Sequence, residues 1–111
     1  MSSSVNIALV PVEGDLDVTT VPAVRRRIER LVSGGCRRIF VNMADVGYVD
    51  SAGLGLILTE LRRVRQLGGL LSLINVSDQV YLALRRMRML DYMPVRRTHA
   101  NSRVTSLDPS V

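Results

Sequence analysis

Residues 37–58, RRIFVNMADVGYVDSAGLGLIL, change their hydrophobic period half-way along. Ile39, Phe40 and Val41 stand consecutively, as in a strand buried on both faces, so a strand is expected over Arg37–Met43. A turn through Ala44-Asp45-Val46-Gly47 follows. From Leu54 the apolar residues Leu54, Ile57, Leu58, Leu61 and Val64 recur at helical spacing, with Thr59, Glu60, Arg62, Arg63, Arg65 and Gln66 on the other side. A strand therefore runs into a helix through Tyr48-Val49-Asp50-Ser51, and Gly68-Gly69 ends that helix.

The same alternation extends outward in both directions. Upstream, Val5–Val12 is apolar and β-rich, and Pro11 places its end at an edge or exit because proline cannot donate a ladder hydrogen bond. After the Gly14-Asp15-Leu16-Asp17 loop, Val21, Val24, Ile28, Leu31 and Val32 define a helix. Thr19 or Thr20 is its expected cap, Pro22 suits its first turn and Gly34-Gly35 closes it. Downstream, Leu70–Val76 reads as a buried strand, and Ser77 caps a further helix whose inner face carries Val80, Leu84 and Met87. A short strand is expected within Tyr92–Val95. Helices alternating with apolar strands define an α/β layer with mostly parallel neighbours. The domain is expected over residues 5–97, followed by a polar tail, 98–111, that is a short helix or disordered.

Length and composition limit what such a layer can do. A chain of 111 residues with 47% hydrophobic side chains builds one core, filled by Leu, Val, Ile and Met because only four residues are aromatic. Cys36 is the only cysteine, which rules out an internal disulfide and fits a reducing compartment. The longest apolar stretch, Leu67–Val76, is too short to span a bilayer, and the N-terminus lacks the basic start of a signal peptide, so a cytoplasmic protein away from membranes is expected. Net charge is +5, carried by arginine with no lysine at all. The arginines cluster at Arg25–Arg27, at Arg62, Arg63 and Arg65, and at Arg85, Arg86 and Arg88, on the polar sides of the three helices. Without the aromatic platforms that accompany single-strand binding, these are read as solvated faces, and direct nucleic-acid binding is not expected.

Asp50-Ser51 invites three readings. As a nucleophile elbow it lacks the first glycine of G-x-S-x-G, since Val49 fills that place. The only histidine, His99, stands in the polar tail, whereas a general base must be held within hydrogen-bond reach. Gly53-x-Gly55 does not complete G-x-G-x-x-G, and no lysine exists for a Walker loop. One cysteine and one histidine far apart make no metal site, and no cofactor is expected. As a helix cap, either side chain of the pair would suffice, so capping leaves one of them unexplained. The third reading takes Ser51 as something acted upon: Ala52, Gly53 and Gly55 leave a bare helix start that another protein can approach and that tolerates a phosphate.

Gly14-Asp15-Leu16-Asp17 together with Asp50-Ser51-Ala52-Gly53-Leu54-Gly55 resembles the STAS domain of bacterial anti-sigma factor antagonists. Val41-Asn42 with Asp45 before the motif and Leu67-Gly68-Gly69 after the helix support the resemblance, which covers Ile7 to Val95. It implies a single STAS-like domain of the α/β class, with a mixed β-sheet of about four strands and helices packed mainly on one face. It further implies no enzymatic activity. The expected partner is an anti-sigma factor that is also a serine kinase. That partner binds the unphosphorylated form, phosphorylates Ser51 and so ends the contact, and a phosphatase restores it. Asp15, Asp17, Thr19, Asp50, Ser51, Ala52, Gly53 and Gly55 are the residues placed at the partner-facing surface. The alternative within the fold is an accessory subunit of a lipid-transport ATPase or signalling scaffold, docking without phosphorylation. A monomer or weak dimer is expected. The sequence departs from the family pattern in its brief start before Gly14, in Ala52 where a second small hydroxyl residue is common, and in Met89 near a usual glycine.

Overall fold

A computed structural model describes residues 7–98. Strands and α-helices alternate: β1 (Ile7–Pro11), α1 (Val21–Ser33), β2 (Arg38–Asn42), α2 (Ser51–Gln66), β3 (Leu70–Val76), α3 (Asp78–Arg86) and, after a 3-10 turn at Met89–Asp91, β4 (Val95–Arg97). The strands form one sheet in the order β1-β2-β3-β4. Every pairing among the described residues is parallel, where a mixed sheet was expected. The reason is connectivity: each described strand reaches the next through a helical crossover, and a hairpin is what would bring an antiparallel neighbour. Pro11 ends β1, which lies at an edge of the sheet formed by the described residues, a position that suits its missing donor.

Because the strand order rises steadily, the right-handed crossover rule puts all three helices on one face. Register shows which side chains meet them. Ala8, Ile39 and Leu71 form one row, and Val10, Val41 and Leu73 the next. Ile39, Val41, Leu71 and Leu73 are buried, as are Val24, Ile28, Leu56, Ile57, Leu61 and Val64 from α1 and α2. The alternate row, Leu9, Phe40 and Ser72, points the other way. There Leu9 is exposed and Phe40 half-buried, so β2 is not covered equally on both faces as Ile39-Phe40-Val41 had suggested.

The helix boundaries follow local chemistry closely. Pro22 lies in the first turn of α1, and Gly34 is its C-cap. Ser77 caps α3, its Oγ accepting from the Val80 N–H at 3.2 Å, and Tyr81 packs against the core beside it. Two side chains were assigned to the wrong side. Met87 is exposed because α3 ends at Arg86 and Met87 is already its cap. Glu60 is buried, because α2 packs against both α1 and β3 and its inward arc widens to take in Gly53, Leu56 and Glu60, leaving Leu54 and Leu58 half-buried. β2 is shorter than expected by one residue at each end, and the last strand falls at Val95–Arg97, later than Tyr92. The start of the first expected strand, and all of the polar tail beyond Thr98, including His99, lie outside the described residues.

Candidate docking site

The two loops singled out in the sequence are fastened to each other at the carboxyl ends of β1 and β2. Leu16 forms a parallel bridge with Val49: the Leu16 N–H donates to the Tyr48 carbonyl at 3.0 Å, and the Asp50 N–H to the Leu16 carbonyl at 3.2 Å. The Leu16 side chain is fully buried. Burial of a leucine stabilises by about 1.5–3 kcal/mol, so the loop carries its own anchor into the core.

Three carboxylates complete the fastening. Asp15 Oδ1 accepts from the Gly47 N–H at 3.0 Å, across the gap between the loops. Asp17 Oδ1 accepts from the Thr19 hydroxyl at 2.6 Å, the Thr19 N–H at 2.9 Å and the Thr20 N–H at 3.2 Å. These donors, the Thr19 hydroxyl first, hold the Asp17 carboxyl below its ordinary range although it is open to solvent. Thr20 is the N-cap residue of α1 but makes no side-chain capping bond; its hydroxyl instead donates to the Asp15 carbonyl at 2.7 Å and accepts from the Asp17 N–H at 3.0 Å. Asp50 spans both loops. Its Oδ1 accepts from the Gly53 N–H at 2.9 Å, capping α2, and its Oδ2 from the Val18 N–H at 3.2 Å.

Asp50 thus takes the cap, and Ser51 is left as the first residue of α2, exposed, its hydroxyl bound to no other described residue. The two glycines that follow differ in kind. Gly53 is buried, and a Cβ there would run into the Leu16 carbonyl and lie 2.9 Å from Val49 Cγ1. Gly55 is exposed, and a Cβ there would meet nothing within 4 Å. Gly53 is therefore required by the fastening of the loops, while Gly55 leaves open surface. Ala52 is half-buried, and Asp15 and Thr19 are exposed. The structure brings all eight expected residues to one end of the molecule, with Gly53 beneath its surface.

Sequence reasoning missed the apolar part of this surface. Val18 is 67% exposed and Tyr48 58% exposed, one in each of the two loops that the Leu16–Val49 bridge joins. Their signal was an apolar residue inside each polar loop. Beside them runs a groove of about 390 Å³ between α1 and α2, lined by Val18, Val21, Pro22, Arg25, Ala52 and Gly55, with Leu56 and Thr59 beyond. The loops are acidic: Glu13, Asp15, Asp17, Asp45 and Asp50 lie in them, with no basic residue from Val5 to Val24 or from Ile39 to Leu61. No cluster of metal-ligating side chains occurs among the described residues, and no helix among them is long and apolar enough to cross a membrane.

These features define the class: a parallel α/β module with a preformed, serine-bearing surface at the carboxyl ends of its first strands. Residues 2–102 match the family model of the STAS domain, and the chain belongs to that family. Among curated relatives, an anti-sigma-B factor antagonist of Staphylococcus aureus is 39% identical over 71 residues, which is 64% of this chain and 66% of the relative, just under two thirds of its length. Two solved structures of the anti-sigma factor antagonist SpoIIAA share the fold. The unphosphorylated form superposes with a TM-score of 0.66 at 19% identity, covering all of this chain and 96% of the other. The phosphorylated Bacillus form gives 0.66 at 23% identity over 94% and 96% of the two chains.

Proposed function

We propose that this chain is an anti-sigma factor antagonist whose docking is switched off by phosphorylation of Ser51. The observation that carries the reading is the division of labour at the start of α2. Asp50 does the capping, so Ser51 stands exposed with no structural duty. The curated relatives bear the name anti-sigma-B factor antagonist, and SpoIIAA has been solved in both phosphorylated and unphosphorylated forms. On this reading the partner is an anti-sigma factor with serine kinase activity, and a phosphatase resets the serine. The work is cytoplasmic and non-enzymatic on the part of this chain.

The switch needs no refolding. Val18, Tyr48, Ala52 and the bare Gly55 form the contact, with Asp15, Asp17 and Thr19 at its rim. A phosphoserine adds about 1.5–2 negative charges and a bulky, strongly hydrated group to a loop end already rich in carboxylates. Docking would then require that group to be stripped of water. Losing about 3 kcal/mol weakens binding more than a hundredfold. Ser51→Asp is therefore expected to weaken binding to the host's anti-sigma factor by about that much, and Ser51→Ala to preserve it. Equal affinities would sink the switch. Purification from the host, with intact-mass analysis, should map a phosphate to Ser51 and recover a kinase of the anti-sigma type. An ATPase or permease as the sole partner would replace this reading with the accessory-subunit role.

A further inference from the structure

A second concave surface lies between α3, the Met89–Asp91 turn and β4, and shares no lining residue with the groove beside Ser51. It is an open depression of about 530 Å³ lined by Tyr81, Arg85, Arg88, Leu90, Asp91 and Arg97. Arg97 is fixed in place. Its guanidinium donates to Asp78 Oδ1 from Nη2 at 2.7 Å and from Nε at 3.3 Å, and lies 4.5 Å over the Tyr81 ring. Arg85 and Arg88 differ: both are exposed, and neither side chain makes an ion pair or hydrogen bond with another described residue. Two unpaired guanidinium groups thus line this surface together with one carboxylate, Asp91.

The backbone adds an independent sign. Arg88 follows the cap of α3 in the left-handed conformation, φ 59° and ψ 26°, with its N–H bonded to the Arg85 carbonyl at 3.0 Å. Glycine is the residue that relieves this position at a helix end. An arginine there carries backbone strain, and such strain gathers where a side chain is needed at a set place. The left-handed turn carries the chain from α3 into the Met89–Asp91 turn that walls the same cavity.

We propose that this cavity binds a phosphate group of a small molecule, with the Arg85 and Arg88 guanidinium forks as its donors and Arg97, held on Tyr81 and Asp78, as its fixed wall. Planar forks match the oxygens of phosphate in pairs, which a lone ammonium does not. Leu90 closes the apolar side. Three guanidinium groups against the single lining carboxylate of Asp91 leave a net positive field, and attraction to it grows with the charge of the oxyanion.

The test is titration of the isotopically labelled protein with sodium pyrophosphate at low ionic strength, followed by amide NMR, with sodium chloride at matched ionic strength as control. Saturable shifts should concentrate at Tyr81, Arg85, Arg88–Asp91 and Arg97. Arg85→Gln should weaken binding about tenfold, the loss of one charge-assisted donor. Arg88→Gly should weaken it by a similar factor while the melting temperature holds or rises. Arg62→Gln, on the exposed face of α2, should change neither. Shifts spread equally over the α1 and α2 arginines, or an equal loss in Arg62→Gln, would reveal a diffuse cationic surface and overturn the proposal. So would unchanged affinity in Arg88→Gly, or a fall in its melting temperature, which would make Arg88 a structural residue.

Discussion

The first turn of α2 and its middle are built on opposite terms. At the first turn, Asp50 satisfies two backbone donors, one in α2 and one in the loop before α1, Gly53 lets the Leu16 carbonyl approach, and Gly55 keeps the outer surface clear. Two turns further on, Glu60 is 1% exposed, its Oε1 has no hydrogen-bond partner among the described residues, and Arg25 Nε lies 3.9 Å from its Oε2. Burial pushes the Glu60 carboxyl up from its ordinary range; the charges of Arg63 and Arg25 oppose the shift and that of Glu29 adds to it. At the end that meets solvent the carboxylates are therefore bonded and only the exposed Ser51 hydroxyl is left to water, while the interior holds the unmet buried polar group. A surface to be recognised must be fixed in shape, whereas a buried carboxylate beside a half-exposed arginine need only be tolerated.

Three substitutions on α2 would break or sharpen this contrast. Gly53→Ala should be the most damaging, at about 3 kcal/mol, because its methyl group meets backbone that cannot yield without parting the two loops. Denaturant unfolding measures it, and a cost under 0.5 kcal/mol would show that the loops are not locked together there. Glu60→Met should stabilise the protein at pH 8 by about 1–2 kcal/mol, since an apolar side chain of similar length replaces a poorly compensated buried charge. The pH dependence gives a second reading. With the folded pKa above the unfolded one, the native protein holds this proton more tightly. Its contribution to stability is then complete below the ordinary glutamate range and is lost as pH rises through the raised value. Glu60→Met should abolish that part of the curve; a wild-type-like slope would place the titration elsewhere. Gly55→Ala is the mildest, raising stability by about 0.5–1 kcal/mol through helix propensity. It should weaken anti-sigma docking all the same, and unchanged docking would remove Gly55 from the contact.

Much of this was legible beforehand because it rests on local rules. Gly34-Gly35, Ser77 and Pro22 mark helix ends by their own conformational preferences. The strand–helix alternation fixes which elements pair, and the two Asp-bearing loops fall together because both follow strands of one parallel layer. What stayed hidden depends on contacts distant in sequence. Nothing near Asp50 reveals that it reaches the Val18 amide, and Gly53 and Gly55 look alike until Leu16 is laid against one of them. Glu60 reads as surface by helical period alone, and only the way α2 meets both α1 and β3 turns it inward. Thr19 or Thr20 was the expected cap of α1, but the Thr20 hydroxyl donates to the Asp15 carbonyl and the Thr19 hydroxyl to Asp17 Oδ1. Met87 was misplaced for a related reason, since the helix stops one residue before it.

One property of the sheet bears on how the chain acquires its structure. No described strand pairs with a neighbour except across an intervening helix, so no element of the sheet can form as a local hairpin. Each ladder must await the closure of a long segment, a topology that slows folding relative to a helical bundle of similar length. Helix formation in α1 and α2 shortens those segments before the strands meet. During synthesis β1 has no ladder partner until β2 has emerged, and the Leu16–Val49 bridge cannot close before residues that follow β2. The surface around Ser51 is therefore completed only after the first parallel ladder has its material, so an intact surface there reports that β1 and β2 are both in place.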